Sequence, residues 1–526
     1  MKVKISQIVQ ADLLVVGSGI GGLSATIEAH DKGIQTLLIS KSLIGGGASY
    51  FPLKATLGIQ VTGDESDKEK FQQDIARVAQ GQNNPKIVQA YIEDSPQAIE
   101  LLDRIGFKPW KRNDNRPACF AQYPRPIYLI KNWREAAQNA KQILAEKRIS
   151  FYEHATLLYI AVEQNQVQGA VFELKTSDEI SYVFCKTSQI ILASGGIAGL
   201  YKDNLYPPDV IGSVHYVAQQ AGAKLINLEF IQFIPSFIEP KYKVLFGEHT
   251  LKYVTKVTDS QGNDLFSHLS AEQFQQMMKA RSDYAPFSID FPCVEFDLVM
   301  MRHLLNHPQE KGVYLHYSSE LYQDKEEFYT VYLAWLKSEV GIDLLEDRIA
   351  IAPFAHSCNG GIVIDEFAQS DVKGLFAIGE ISSCIEGANR LGGNSVGGSL
   401  VFAKRAVMKV LQNLAQKPPL VTTEKSMMKA EDYFNFLDNL NSDKMCSSSQ
   451  VLAEVRKQMS LFANVYRTEE NLYQLKCYLQ ELEQQYNPLD NLAFQGIEVY
   501  HALKAAQCVV EAMLKRKSSL GAHYIE

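Results

Sequence analysis

Two glycine-rich segments, separated by most of the chain, hold the residues whose types and spacing predict chemistry. The first segment, Gly17–Gly22, follows an apolar run and precedes a stretch containing alanine and leucine. A strand, a glycine turn and a helix in this order place a pyrophosphate at the N-terminus of the helix. The second segment, Gly387–Ser395, follows Glu380, which ends another apolar run. Together the two segments predict one FAD held by both ends of the chain.

The glycines of the first segment have separate physical roles. Gly17 permits a tight turn, Gly19 lets a phosphate approach the backbone, and Gly22 allows the helix to pack closely on the strand. The acidic residue that usually ends the second strand and binds the adenosine ribose is absent, and Ser40-Lys41 stands in its place. The ribose contact is therefore left open by these residues.

The second segment predicts an acid and a helix N-terminus beside the cofactor. Glu380 follows a buried strand, and the residue after such a strand points into the ligand crevice, although an acid there can also be solvated. Asn394 begins a helix whose positive end could stabilise negative charge that develops on a reduced flavin. The alternative is that Ser395 is an ordinary helix cap.

Three side chains are candidates for substrate binding and catalysis. His356 precedes a Gly-Gly turn into a strand of the nucleotide-binding domain, although a lone histidine is more often structural. Arg390 lies in the loop that should face the flavin, and a guanidinium there suits a carboxylate. Glu248 is the third candidate, although the pair Glu248-His249 would ordinarily be solvated in a loop.

The elements that must position these residues begin with a βαβ unit. Strands at 12–16 and 36–39 flank a helix at about 21–32, which predicts an α/β, Rossmann-like domain. An aromatic-rich stretch then breaks this rhythm and predicts an inserted α+β capping domain, and the last part of the chain is helical and charged. The predicted domains are a discontinuous FAD-binding domain (1–230 and 346–415), a capping domain (231–345) and a C-terminal helical domain (416–526).

Composition excludes several other classes of protein. The chain has 526 residues, enough for two or three domains, and 60 acidic against 52 basic residues give a net charge of −8. This balance argues against nucleic acid as a partner. The eight cysteines contain no CxxC pair, so we expect no metal site and a reduced, cytoplasmic protein. No apolar run reaches the roughly 18–20 residues of a membrane span.

These segments resemble, in the same order, those of the succinate dehydrogenase/fumarate reductase flavoprotein family, which includes L-aspartate oxidase. The matching segments are Gly17–Gly22, Ser40-Lys41, Ser194-Gly195-Gly196, Leu228–Phe233, His356–Gly361, Gly379-Glu380, Gly387–Ser395 and Lys515–His523. The resemblance implies FAD as the cofactor. It also accounts for the missing ribose acid, because members of this family usually have Ser-Lys at the position of Ser40-Lys41. The residues expected to bind FAD are Gly17, Ser18, Gly19, Ile20, Gly21, Gly22, Ser40, Lys41, Gly47, Ala48, Ser49, Gly58, Ala155, Ala193, Ser194, Gly195, Glu380, Arg390, Asn394, Ser395 and Val396.

Members with covalent flavin carry a histidine in the loop after the second strand. This chain has no histidine between Lys41 and Gln60, so we expect non-covalent FAD. In this respect the chain resembles aspartate oxidase and the soluble fumarate reductases.

The substrate side departs from the family pattern. Ile234 occupies the position of the family's first histidine, and Gly247 occupies the position of the threonine before Glu248. The arginine that delivers a proton in fumarate reduction has no clear counterpart around Ile289–Val294. His356 persists, as does Arg390. The residues expected to bind the flavin therefore follow the family pattern, whereas those expected to bind a dicarboxylate differ from it in part.

The sequence thus predicts an FAD-dependent oxidoreductase with two-electron chemistry on a small carboxylate or amino-acid substrate, resembling L-aspartate oxidase or fumarate reductase. An electron-donor or acceptor partner is possible. The alternative is a flavin-binding protein with a degenerate substrate site that serves as a partner or regulatory subunit.

Overall fold

The computed structural model describes residues 3–51, 57–177, 179–284, 286–383, 385–416, 423–438, 440, 446–489 and 495–526. The strands are β1 (Ile5–Gln10), β2 (Leu13–Val16), β3 (Thr36–Ile39), β4 (Leu57–Gln60), β5 (Trp110–Lys111), β6 (Ile127–Ile130), β7 (Ser150–Tyr152), β8 (Ala155–Glu163), β9 (Gln166–Lys175), β10 (Ile180–Lys186), β11 (Ile190–Leu192), β12 (Leu225–Ile226), β13 (Ile231–Glu239), β14 (Val254–Thr258), β15 (Val313–Tyr317), β16 (Ile349–Cys358), β17 (Gly361–Ile362) and β18 (Leu375–Ala377). The helices are α1 (Ile20–Asp31), α2 (Glu65–Ala79), α3 (Pro85–Ala98), α4 (Glu100–Arg104), α5 (Trp133–Glu146), α6 (Ser213–Gln220), α7 (Ala271–Ser282), α8 (Val294–Asn306), α9 (Glu327–Trp335), α10 (Asn394–Ala415), α11 (Thr423–Asp438), α12 (Ser448–Phe462), α13 (Glu469–Gln484) and α14 (Gly496–Lys515).

The centre of the fold is a five-stranded sheet in the order β18-β11-β2-β3-β7, in which every neighbouring pair is parallel. All four residues of β2 and all four of β3 are buried. Parallel strands covered on both faces carry such continuous apolar runs, because no face meets water. Helices α1 and α10 pack against each other beside this sheet. The carboxyl ends of β2, β3, β11 and β18 therefore lie along one edge, and the predicted Rossmann-like fold is confirmed.

A second sheet, in the order β1-β10-β9-β8, packs on the nucleotide-binding core. In this sheet β8, β9 and β10 pair antiparallel through short turns. The sequence did not indicate β1. Most of its side chains are exposed, so its pattern lacks the apolar alternation that identifies a strand.

The cap is built on a sheet in the order β13-β16-β15-β14, with α7, α8 and α9 beside it. Its own apolar core gathers large aromatic and aliphatic side chains, Phe237, Phe246 and Phe296 among them. The long strand β16 belongs to this sheet although it lies beyond residue 345. β16 thus runs from the cap sheet to the edge of the nucleotide-binding sheet, which brings His356 between the two.

The C-terminal part is helical, as expected. Helix α14 packs against α12 and α13 on one side and against α6 on the other. Five small side chains of α14 are fully buried in a core that this region shares with the second sheet, namely Ala502, Ala505, Ala506, Val509 and Val510. Within the described parts of the chain, no helix is long and apolar enough to cross a bilayer.

Candidate active site

One cavity of about 470 Å³ lies at the carboxyl edge of the parallel sheet, between this sheet, the cap and α14. His356, Arg390 and Glu248 all line it. Of the residues predicted to bind FAD, all but Gly22 and Asn394 line it as well: Gly17, Ser18, Gly19, Ile20, Gly21, Ser40, Lys41, Gly47, Ala48, Ser49, Gly58, Ala155, Ala193, Ser194, Gly195, Glu380, Arg390, Ser395 and Val396. The structure thus gathers the two glycine segments and the three catalytic candidates around one space.

The glycine turn forms a cradle that any larger residue would fill. Gly17 has a φ of +108°, and a Cβ there would lie 2.4 Å from the carbonyl oxygen of Ala193. A Cβ on Gly22 would lie 1.8 Å from the carbonyl oxygen of Gly17, so this glycine acts through helix packing and not by facing the cavity. Gly19 has no side chain to cap α1, and the first N–H of the helix, that of Ile20, donates to Ser49 Oγ at 3.1 Å. The remaining free N–H groups at the start of α1, together with the glycine turn, fit a pyrophosphate.

The second glycine segment brings another helix N-terminus to the cavity. Helix α10 begins at Asn394 after Gly393, whose φ of +89° leaves the chain close to the backbone of Gln60. Asn394 is fully buried and turned away, because its Oδ1 accepts hydrogen bonds from Gln60 Nε2 at 2.9 Å and from Tyr91 Oη at 3.3 Å. Ser395 lies inside the helix and does not cap it. Asn394 therefore braces the start of α10.

Glu380 is held by two donors at the end of β18. Its Oε1 accepts hydrogen bonds from the Tyr206 hydroxyl and from the backbone N–H of Cys358, the latter at 2.8 Å. Burial raises the pKa of the Glu380 carboxyl, which these hydrogen bonds and Arg390 oppose. Tyr206 also lines the cavity, and nothing in its sequence surroundings distinguished it. Glu380 is fixed in place, as a residue against a cofactor should be.

Arg390 and His356 meet beside the flavin-binding elements. Arg390 Nη2 lies 3.4 Å from His356 Nε2, and Arg390 Nε donates a hydrogen bond to Gln232 Oε1 at 3.0 Å. Gln232 is in turn fixed by donating to Asn389 Oδ1 at 2.6 Å. Gln232 lies in a segment that resembled the family, but its role as the support of Arg390 was not predicted. The guanidinium is therefore oriented before any ligand arrives.

A β-bulge aims His356 at this point. Gln232 pairs with Ser357 and the next residue of β13, Phe233, pairs with Ala355, so His356 is an extra residue in β16. A bulge redirects a side chain and is common beside active sites. The lone histidine thus has a local geometry that turns it from the sheet towards Arg390.

Glu248 comes from the cap and is buried, not solvated as its loop position indicated. Burial raises its pKa to about 8, although Arg281 opposes this shift. Arg281 itself is 1% exposed and binds Asp297 through two hydrogen bonds of 2.7 and 3.1 Å. Asp297 thus largely neutralises the charge of Arg281. Because this leaves the effect of burial dominant, Glu248 is mostly protonated at neutral pH. A protonated carboxyl can donate a hydrogen bond to an anion.

The neighbouring His249 is also buried. Its ring meets Tyr329 and Tyr332 edge-on, with ring centroids 4.9 Å apart in both pairs. Burial lowers the pKa of His249 to about 3, so this ring is neutral. His249 therefore packs the cap, whereas Glu248 faces the cavity.

The rest of the cap wall is apolar. Ile234, Leu245 and Pro286 line the cavity on this side. Of the described residues that line the cavity, only Lys41 and Arg390 carry a permanent positive charge, and Lys41 lies at the end of β3. No group of side chains with metal-binding arrangement occurs in the described part of the chain. The site therefore offers one strong anion-binding point beside an uncharged wall.

Comparisons with known proteins agree with this geometry. The profile of the family described as "FAD binding domain" matches residues 12–396. An uncharacterized FAD-dependent oxidoreductase of Methanocaldococcus jannaschii is 26% identical, with 98% of this chain and 93% of that protein covered. One of the subunits of fumarate reductase (CoM/CoB) from Methanothermobacter marburgensis is 25% identical over 99% and 95% of the two chains. L-aspartate oxidase of Vibrio cholerae is 25% identical over 98% and 95%.

Solved structures give the same fold. FrdA of E. coli quinol fumarate reductase has a TM-score of 0.77 at 21% identity, over 99% of this chain and 92% of that one. Sdh1 of Mycobacterium smegmatis has a TM-score of 0.79 at 22% identity, over 99% and 89%. The chain belongs to the FAD binding domain family, as an FAD-dependent oxidoreductase related to fumarate reductase flavoproteins and L-aspartate oxidases.

Proposed function

We propose that this protein oxidises a small amino acid or a related small carboxylate, and that Arg390 and His356 bind the substrate at its carboxylate end. The observation that carries the proposal is the contact of Arg390 with His356 at 3.4 Å in the cofactor cavity, with the guanidinium fixed by Gln232. A charged, pre-oriented guanidinium binds a carboxylate through parallel hydrogen bonds.

His356 supplies an acceptor next to this point. Because Arg390 Nη2 can only donate, the lone pair of His356 Nε2 faces the guanidinium before a substrate binds. A substrate carboxylate that accepts from Arg390 Nη2 releases this lone pair, which can then accept from an amino or hydroxyl group on the adjacent carbon. An α-amino acid presents its carboxylate and its amine at this spacing, so it fits both groups. Bound FAD supplies the two-electron acceptor chemistry.

The cap wall limits the other end of the substrate. Ile234 and Leu245 exclude water and offer no charge, and Glu248 is protonated at neutral pH. A second carboxylate would therefore meet Glu248 as a hydrogen-bond donor and not a cation. This arrangement supports an L-aspartate oxidase-like reaction, with substrates bearing one carboxylate and a small uncharged side chain as equal candidates.

Reduction of fumarate is a second candidate because the chain is similar to a fumarate reductase subunit. It needs a proton donor at the reacting carbon, and Arg281 does not line the cavity and is bound to Asp297. Glu248 is the remaining acid on this wall.

The deciding experiment is anaerobic titration of the purified flavoprotein with a panel of L-amino acids, hydroxy acids and dicarboxylates, followed through the visible flavin absorbance. We expect bleaching by at least one amino acid and none by succinate. Reoxidation by air, or only by an added dye, then separates an oxidase from an enzyme that needs an acceptor partner. A flavin-binding regulatory protein would show no bleaching with any compound, and that result would overturn the proposal.

The flavin should be non-covalent, since the sequence has no histidine between Lys41 and Gln60. Acid precipitation should leave the yellow colour in the supernatant, and colour in the pellet would contradict this. Pro52, Leu53, Lys54, Ala55 and Thr56 in this loop lie outside the described residues.

A further inference from the structure

A buried acid from the C-terminal helices lies in the cofactor cavity. Glu498 is in the first turn of α14, is 2% exposed and lines the cavity. Its Oε1 lies 2.8 Å from Lys41 Nζ and accepts a hydrogen bond from Ser213 Oγ at 3.1 Å. Its Oε2 meets no hydrogen-bond donor among the described residues. Leaving a buried carboxylate oxygen without a donor is costly, so this atom points to a ligand.

The contacts of Glu498 place it at the end of β3. Ser40 Oγ lies 2.8 Å from Ser18 Oγ in the glycine turn, and the carbonyl of Ser40 accepts from the backbone N–H of Ala155 at 2.9 Å. Lys41 also donates to the carbonyl of Asp209 at 2.8 Å, which fixes its ammonium beside Glu498. In dinucleotide-binding sheets this strand end faces the adenosine ribose, where an acid usually binds the ribose hydroxyls.

We propose that Glu498 binds the ribose hydroxyls of the adenosine half of FAD, in place of the acid that the end of β3 lacks. A carboxylate accepts two hydroxyl donors, and its free Oε2 leaves room for one of them. The N-terminus of α14 favours negative charge at this position. The C-terminal helices therefore complete the cofactor site, so that binding of FAD also favours the docking of α14 on α6.

This inference rests on FAD as the cofactor but not on the identity of the substrate. The test uses the full-length protein stripped of flavin, titrated with FAD and with the FAD analogue that carries 2′,3′-dideoxyadenosine, and flavin fluorescence reports binding. A hydrogen bond to a charged group is worth enough that the wild type should bind the analogue roughly ten- to a hundredfold more weakly. Glu498→Ala should bind both flavins equally, at the affinity of the wild type for the analogue.

Two further variants separate a ribose contact from a structural role. Glu498→Gln keeps the shape of the side chain, and its discrimination between the two flavins should fall below about tenfold. Glu511→Ala is the matched control, because Glu511 lies on the same helix, is 58% exposed and pairs with Lys476 at 3.3 Å. This control should discriminate as the wild type does. Equal binding of both flavins by the wild type would overturn the proposal, as would full discrimination by Glu498→Gln.

Discussion

The two walls of the active-site cavity are built from different chemical groups, backbone on the cofactor side and side chains on the cap side. The cofactor wall is made of backbone: glycine turns at Gly17 and Gly393 and the N-termini of α1 and α10. The cap wall is made of side chains, with Ile234 and Leu245 beside Glu248. A backbone wall serves the pyrophosphate that every member of the family must bind. A side-chain wall can be changed one residue at a time, which lets related proteins act on different substrates.

The first prediction breaks the cofactor wall and has the largest effect. A Cβ on Gly22 would lie 1.8 Å from the carbonyl oxygen of Gly17, so Gly22→Ala forces α1 away from β2. We expect the free energy of unfolding to fall by about 3 kcal/mol, at the upper end of overpacking costs. The protein should also be purified without FAD. Gly63→Ala is the control, because Gly63 does not line the cavity and its Cβ would make ordinary contacts of 3.4 Å with Pro126 and 3.5 Å with Asp67. Denaturant unfolding and flavin content measure both, and equal behaviour of the two variants would contradict the packing role.

The sequence predicted the residues whose roles are local, and it did not predict those whose roles depend on distant segments. Gly17 and Gly22 were assigned correctly in advance, because the requirement for a tight turn and close packing is local and is written in the glycines themselves. Three features were not predicted from the sequence: the support of Arg390 by Gln232, the hydrogen bond of Tyr206 to Glu380 and the burial of Glu248. Each depends on a contact between distant segments.

The structure also shows where local patterns mislead. Glu248 was expected to be solvated because it lies in a loop, yet the cap core closes over it. Asn394 was expected beside FAD, yet it bonds to Gln60 beneath the helix start. Glu498 carried no signal at all, since an acid in the first turn of a helix is common for reasons of helix stability alone. The role of a polar residue depends on which element packs on it.

The second prediction addresses the junction of the two walls. Arg390→Ala removes the charged donor while leaving the glycine cradle intact, so FAD should remain bound. Loss of a charge-assisted hydrogen bond costs about 1.5–3 kcal/mol, and kcat/KM for a substrate found in the titration should fall roughly ten- to a hundredfold. Stopped-flow flavin reduction measures the loss. Arg348→Ala is the control, because Arg348 is 61% exposed at the edge of the cap. Unchanged turnover in Arg390→Ala would remove Arg390 from the substrate site.

The third prediction uses pH to probe the cap wall. Glu248 has a pKa raised to about 8, so it is protonated below this pH and charged above it. Because only the protonated form can donate to an anionic substrate, kcat/KM should fall about tenfold between pH 7 and pH 9. In kcat, which reports the enzyme–substrate complex, the bound carboxylate should move the fall to higher pH, since a nearby negative charge favours the protonated acid.

Glu248→Gln keeps a donor that does not ionise, so its profile should be flat over this range. The control is Glu239→Gln, because Glu239 is 41% exposed at the end of β13 and should leave the profile unchanged. A fall above pH 8 that persists in Glu248→Gln would assign the ionisation to another group.

The last prediction is the smallest effect and tests whether the cap wall has been rebuilt as a whole. Ile234 is 4% exposed and stands where the family has a histidine. A histidine placed there would be desolvated and hence neutral, so it would add no positive charge for a second carboxylate. The proton-donating arginine would still be missing around Ile289. Fumarate reduction by Ile234→His should therefore stay within about tenfold of the wild type, since one neutral hydrogen bond contributes about 0.5–1.5 kcal/mol at most. Ile234→Leu controls for packing, and rapid fumarate reduction by Ile234→His alone would show that a single residue, and not the whole wall, separates this protein from its fumarate-reducing relatives.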